Sequence, residues 1–163
     1  MHCNYRPATP EDAHECVRIR GLTRENAISS TRLATLGITA ESWANDIQSQ
    51  KLPGFICTVN QEMAGYCFGS SETGEVIVLA LRPAFENRGI GRELLALTAN
   101  HLHLLGHKRL FLGCSPDPSV RSHGFYRHLG WRSTGTRDQH GDEVLELVGI
   151  GHEFVDRFTR RNL

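Results

Sequence analysis

Apolar positions along the chain change period several times, and each change marks an element. Residues 76–81 are almost uninterrupted apolar sequence closed by Pro83, the pattern of a central strand covered on both faces. After Gly89, the residues Ile90, Leu94, Leu97 and Leu104 recur on one helical stripe, with Leu95, Leu102 and Leu105 beside it. This predicts a long helix with a broad face to lay on a sheet, stopped at Gly106. Residues 55–59 and 63–69 are short β-rich runs joined through Asn60-Gln61-Glu62, which predicts a hairpin. Residues 108–114 predict a further strand, and 131–136 with 144–148 a last hairpin around the polar segment 137–142.

Helix signals fill the spaces between. Residues 2–7 predict an edge strand, and Thr9-Pro10-Glu11-Asp12 supplies a cap, a first-turn proline and early acidic residues for a helix to about Gly21. Thr39 caps a second helix through Trp43 and Ile47, ended by Pro53-Gly54. Segment 22–38 between them has only weak period and is the least predictable. Asp117-Pro118 reads as a cap and first-turn proline for a helix through Phe125, Tyr126 and Leu129, closed at Gly130. The order predicts a mixed α+β sandwich in one domain, with no internal repeat. A tail over 150–163 places Phe154, Val155 and Phe158 among charges, which predicts a short amphipathic helix docked on the body or on a second copy in a homodimer.

Charge excludes some partners. Lys plus Arg and Asp plus Glu both total 18, so no global field favours nucleic acid or an anionic membrane. The five cysteines form no Cys-x-x-Cys pair and sit mostly in apolar runs, as buried thiols in a reducing compartment do. With no signal-peptide order and no run of membrane-spanning length, a cytoplasmic location is the default. His103 and His107 share a helix face, but no third ligand completes a metal site, so no metal is expected.

The segment 75–95 carries the sharpest chemistry: an apolar strand runs through a basic, glycine-bearing turn directly into a helix. Backbone N–H groups at a helix N-terminus lack partners within the helix, and Gly89 and Gly91 put no side chain in the way of an anion. Arg88 and Arg92 flank this cradle with positive charge, which suits the pyrophosphate of a nucleotide-like cofactor. The chain lacks a Gly-Lys-Ser/Thr phosphate loop and the glycine spacing of a dinucleotide fingerprint, so ATP or a dinucleotide fits less well.

Three features in order resemble the GCN5-related N-acetyltransferases, the GNAT superfamily. Glu86-Asn87-Arg88-Gly89-Ile90-Gly91 is similar to the family's pattern of Gln or Arg, two residues, Gly, one residue, Gly or Ala, and departs from it only at Glu86. A carboxylate cannot donate to a phosphate, so Glu86 is expected to offer its backbone N–H and to face solvent or Arg88. The run Leu79-Ala80-Leu81-Arg82-Pro83 resembles the end of the family's fourth strand, whose backbone pairs with the pantetheine arm. Phe125-Tyr126-Arg127-His128-Leu129-Gly130-Trp131 resembles the Phe-Tyr and Gly-Phe signature, with Trp131 in place of Phe. The resemblance covers about 54–149 as a cofactor-binding core.

It implies a GNAT-like, mostly antiparallel sheet of about six or seven strands flanked by about four helices. It also implies acetyl-CoA as co-substrate and direct acetyl transfer to a primary amine of a small molecule or peptide. Leu79, Ala80, Leu81, Glu86, Asn87, Arg88, Gly89, Ile90, Gly91, Arg92 and Ser119 are the implied cofactor contacts. A strand N–H near Leu81 is the implied donor to the carbonyl oxygen, and Tyr126 the general acid to the departing thiolate. Glu75 matches the position of the base in histone-type members, with a solvated turn residue as the plain alternative. Cys114 is conceivable as an acyl carrier, though direct transfer is the family's usual route and a small buried residue the simpler role. The acceptor is expected between 22–38, the helix after Thr39 and 137–142, where Arg24, Glu25, Asn26, Arg32, Asp138 and Asp142 form a set of mixed sign. A module of the same family that binds acyl-CoA without turnover is the competing reading.

Overall fold

The computed structural model describes residues 2–148. In chain order its strands are β1 (Cys3–Pro7), β2 (Gly54–Val59), β3 (Glu62–Gly69), β4 (Val76–Leu81), β5 (Arg109–Cys114), β6 (Arg132–Arg137) and β7 (Glu143–Val148). Its helices are α1 (Ala13–Arg20), α2 (Ser30–Thr35), α3 (Ala40–Gln48), α4 (Ile90–Leu104) and α5 (Arg121–His128). This is the predicted α+β architecture, with seven strands. The tail over 150–163 lies outside the described residues.

Local chemistry starts most elements where the sequence places them. Thr39 accepts from the N–H of Ser42 at 3.1 Å while Ser42 returns a bond from the N–H of Thr39 at 2.9 Å, a reciprocal cap that opens α3. Asn60 and Gln61 take φ of 50° and 67°, the paired left-handed residues of a tight two-residue hairpin turn between β2 and β3. Two boundaries differ from the pattern. The weakly periodic segment 22–38 holds a helix, α2, because Ser29 caps it by accepting from the N–H of Arg32 at 3.1 Å, which makes five α-helices among the described residues. At the other boundary, α5 begins at Arg121 rather than after Asp117. Asp117 instead folds its carboxylate onto Ser119, accepting from the N–H at 2.9 Å and the hydroxyl at 2.8 Å in a local turn.

The strands do not form one continuous sheet. An antiparallel four-stranded sheet runs β1-β2-β3-β4, and an antiparallel three-stranded sheet runs β5-β7-β6. They meet through a single parallel bridge, Glu75 to Phe111. Beyond that point β4 and β5 are no longer paired.

Two apolar clusters hold the layers. On one face, α4 packs Ile90, Leu94, Leu95 and Leu102 against Cys57, Cys67, Leu110, Leu112 and Leu145, drawn from both sheets. On the other, α1 and α3 set Ile19 and Trp43 on Ile56, Tyr66 and Phe68. Covered on both faces, β3 is buried at every residue after Glu62. The predicted α4 stripe stops short: Leu104 is 73% and Leu105 51% exposed, because both sit at the helix end beyond the sheet. His101 and His103 are half-buried; the ring of His101 meets Phe55 edge-on, centroids 6.0 Å apart.

Leu94 is fully buried between the two sheets, so Leu94→Ala is expected to lower the unfolding free energy by about 3 kcal/mol. Leu104→Ala should change it by less than about 0.5 kcal/mol. Urea denaturation of the two variants checks the pair.

Candidate functional site

The site begins where strand pairing ends. The N–H of Phe111 reaches the carbonyl of Gly74 at 3.4 Å, and from there β4 and β5 diverge. Against β3, Gly69 pairs with Val76 and Phe68 with Val78, so Ile77 is an extra residue that bulges from the ladder. The N–H of Arg82 donates to the carbonyl of Ala64 at 2.9 Å, and the register pairs Leu81 with Gly65 and Ala80 with Tyr66. Bonded and non-bonded pairs alternate in an antiparallel ladder. Ala80 therefore turns its amide and carbonyl toward β3, while Leu79 and Leu81 turn theirs away, into the opening beside β5.

That opening is a cavity of about 790 Å³. Its walls are the outer edge of β4, the start of α4, the loop 23–28, residues Leu112 to Ser115 at the end of β5, and Ser122, Phe125 and Tyr126 of α5. At the start of α4, Asn87 and Gly89 both adopt left-handed φ, 61° and 79°, which swings the chain into the helix. The first-turn N–H groups of Ile90, Gly91 and Arg92 have no carbonyl within the helix to accept them, and all three residues line the cavity. A Cβ on Gly91 would stand 3.2 Å from Leu81 Cδ1 and 3.7 Å from Phe125, so glycine there keeps the gap between helix and strand edge open.

Residues 23–131, more than half of the chain, match the family model described as Acetyltransferase (GNAT) family. The chain belongs to that family. No curated protein sequence matches it significantly. Among solved structures it is similar to PaiA N-acetyltransferase from Thermoplasma acidophilum in complex with coenzyme A, with TM-score 0.74 and 18% identity over 91% of this chain and 100% of that one. It is similar to yncA from Salmonella typhimurium with its cofactor acetyl-CoA, at TM-score 0.70 and 17% identity over 91% and 94%. A third is the ribosomal-protein-S18-alanine N-acetyltransferase from Escherichia coli, at 0.65 and 18% over 93% and 98%. At such identities these structures establish the shared fold.

In this GNAT domain the residues singled out from the sequence divide. Leu79, Leu81, Asn87, Gly89, Ile90, Gly91, Arg92 and Tyr126 come together around the cavity. Ala80 is 2% exposed and its backbone serves β3. Arg88 lies with its guanidinium over the ring of Phe85, 5.8 Å from the centroid. Ser119 is exposed in the turn before α5, outside the cavity lining, with its hydroxyl on Asp117.

Glu86 corrects the expectation most. Its N–H donates to the carbonyl of Pro83 at 3.3 Å, in the short turn before the cradle, and so is not turned to the cavity. Its side chain, 11% exposed, accepts from Arg24 Nε at 2.9 Å and Arg121 Nη1 at 2.6 Å rather than facing solvent. Arg20, Arg121 and Ser122 line the cavity without having been singled out; nothing local in the sequence marks them, since loop 23–28 and α5 meet β4 only in the fold.

Glu75 stands immediately before β4, half-buried and one residue outside the cavity lining. Burial, and then the charge of Asp138, push its carboxyl above the ordinary range. Burial likewise raises the Cys114 thiol, which is 5% exposed, and a thiol so shifted is a poor nucleophile. Tyr126 packs edge-on to Phe125 and Trp131, centroids 5.1 Å and 6.3 Å away, and burial holds its phenol protonated far above neutrality. No cluster of His, Cys, Asp or Glu among the described residues could hold a metal ion.

Burial also raises Tyr5 and Tyr66. In the unfolded chain all three phenols ionise near pH 10. Their contribution to stability is complete below that pH and is lost as pH rises above it, because the unfolded state then releases protons that the folded state keeps. Burial raises the thiols of Cys16, Cys57, Cys67 and Cys114 as well, and these ionise near pH 8.5 in the unfolded chain, so melting temperature is expected to begin falling above about pH 8.5 and to fall more steeply above about pH 10, with phenolate absorbance appearing together with unfolding.

Proposed function

We propose that this protein transfers the acetyl group of acetyl-CoA directly to a primary amine of a small molecule or peptide. One observation carries the reading: a single cavity joins the helix cradle at Ile90–Arg92, the unpaired edge of β4 at Leu79 and Leu81, and the half-buried Tyr126. The residues present fit this co-substrate. A diphosphate needs converging N–H groups with no side chain over them, which the turn at Gly89 and Gly91 supplies. An amide-bearing arm needs a strand edge with open donors and acceptors, which β4 supplies beyond its bulge. The coenzyme A and acetyl-CoA complexes of the structural relatives support the assignment.

Acetyl-CoA brings an activated thioester; the chain's own groups do the rest. The N–H groups of Leu79 and Leu81 are donors aimed into the cavity, where charge gathers on the carbonyl oxygen during transfer. Tyr126 holds a proton that it gives to the departing sulfur, and its burial among Phe125 and Trp131 keeps that proton in place at neutral pH. Glu75 is the general base. From its position outside the lining it takes the amine's proton through water, and its raised pKa brings its basicity closer to neutral pH. Asp142, at the end of the cavity away from the cradle, lines the acceptor side.

Gly91→Glu should abolish acetyl-CoA binding in a folded protein, because the new side chain fills the gap beside Leu81 and brings a negative charge to the cradle. Calorimetry with circular dichroism checks both halves, and undiminished affinity in the folded variant would remove the cradle from the reading.

Tyr126→Phe should lower turnover by about 10²-fold with acetyl-CoA affinity changed less than about three-fold. Release of free CoA across a panel of amines measures it. Tight acetyl-CoA binding without release for any amine would favour a binding module over an enzyme.

A further inference from the structure

The cleft carries a charge network that the family pattern does not contain. Glu86 Oε2 accepts from Arg24 Nε at 2.9 Å and Arg121 Nη1 at 2.6 Å, and Arg121 Nη2 also donates to Asn87 Oδ1 at 2.8 Å. Next to Arg24, the carboxylate of Glu25 accepts from the N–H of Arg121 at 3.2 Å, at the first residue of α5. The loop opposite the cradle, the cradle turn and the start of α5 are thus tied at one point, and all five residues line the same cavity.

The carboxylate is largely covered, but the two arginines are not: their side chains are 59% and 51% exposed. Arg121 has both Nη groups engaged by Glu86 and Asn87. Arg24 uses Nε alone, and among the described residues neither of its Nη groups makes a hydrogen bond. Arg24, Arg92 and Arg121 against Glu25 and Glu86 leave the cradle end of the cavity with a net positive charge, and Arg24 keeps both Nη groups as a two-pronged donor. That geometry matches a phosphate, which a guanidinium fork holds through two parallel bonds.

We propose that Arg24 binds a phosphate of the coenzyme from the wall opposite the cradle, and that Glu86 is the positioning residue that aims it. This rests on the cleft taking acetyl-CoA. Glu86 then does not weaken a phosphate site by replacing a donor; it builds one from the far side. The sign of its substitution separates the two views. Glu86→Gln removes a negative charge near a phosphate and restores a residue of the family pattern, so charge alone predicts tighter binding. Positioning predicts weaker binding, because a neutral amide oxygen holds two guanidiniums much less firmly than a carboxylate does.

Calorimetry of the full chain with CoA and with dephospho-CoA tests this, with melting temperature as the check on folding. Arg24→Gln and Glu86→Gln are each expected to weaken CoA about ten-fold. Glu86→Gln placed on Arg24→Gln should add less than about two-fold, since it acts through that arginine, and Glu86→Asp should restore part of the loss. A loss confined to CoA assigns the 3′-phosphate; a loss shared by dephospho-CoA assigns the diphosphate. Unchanged CoA affinity in Arg24→Gln, or unchanged or tighter affinity in Glu86→Gln, overturns the proposal. If the unsubstituted protein binds neither ligand, the cofactor reading fails as well, and that outcome is distinct from the others.

Discussion

A strand edge left unpaired inside the protein is the constraint around which the rest is arranged. Backbone N–H and C=O groups demand partners, and an open edge offers itself to any passing strand. Here β4 and β5 touch at Glu75 and Phe111 and then separate, so the amides of Leu79 and Leu81 face a cavity rather than a neighbour. The bulge at Ile77 increases local twist and breaks the regular ladder at the point of separation. From the other side, β5 has its ladder with β7, and Gly113 lets Asp138 close in where a Cβ would lie only 2.8 Å from its carboxylate. Each strand thus keeps one partner, and the groove between them is protected by α4 and α5 from pairing with another chain.

Holding such a gap open requires packing that does not cross it. The α4 helix does this by laying one face on both sheets: Leu94 and Leu102 join residues of β2 and β3 to Leu110, Leu112 and Leu145 of β5 and β7 in one cluster. The same helix presents its first turn to the gap, so the burial of its middle sets the direction of its N-terminal amides. Two buried hydroxyls at the helix–sheet contacts are satisfied: Thr98 of α4 donates to the carbonyl of Cys67 at 3.3 Å and Tyr66 of β3 to that of Cys16 at 2.9 Å. They fix α4 and α1 to opposite faces of β3. Rigid helices on both sides let the backbone cradle keep its shape before any ligand arrives.

What could be read in the sequence was what depends on neighbours along the chain. The apolar run of β4, the stripe of α4 and the left-handed glycine before it are local, and the strand-turn-helix unit follows from them. The start of α5 was misplaced because Asp117-Pro118 has the composition of a helix cap, yet Asp117 satisfies its own turn through Ser119 and the helix waits until Arg121. Glu86 was out of reach for another reason. Its partners lie 62 and 35 positions away, and only the folding of loop 23–28 and α5 over the cradle brings them to one carboxylate. The weak period of segment 22–38 reflects the same fact: α2 buries only Leu33, so apolar spacing had little to report.

Global neutrality also concealed a sorting of charge along the cleft. Equal totals of 18 acidic and 18 basic residues rule out a long-range field, but they do not constrain local order. At the cradle end, Arg24, Arg92 and Arg121 line the cavity against the two carboxylates of Glu25 and Glu86. At the other end, Glu75 and Asp142 both lie near Asp138, and burial first, then that neighbour's charge, raises each of them. Carboxylates so crowded would separate or protonate in an unconstrained chain. Here the end of the β6–β7 hairpin holds two of them in place: Asp138 accepts from the N–H of Asp142 at 3.0 Å and of His140 at 2.8 Å. The backbone that closes this hairpin therefore keeps negative charge beside the point where β4 and β5 part, with the positive cluster on the other side of the same cavity. The cleft has a polarity that no sum over the sequence contains.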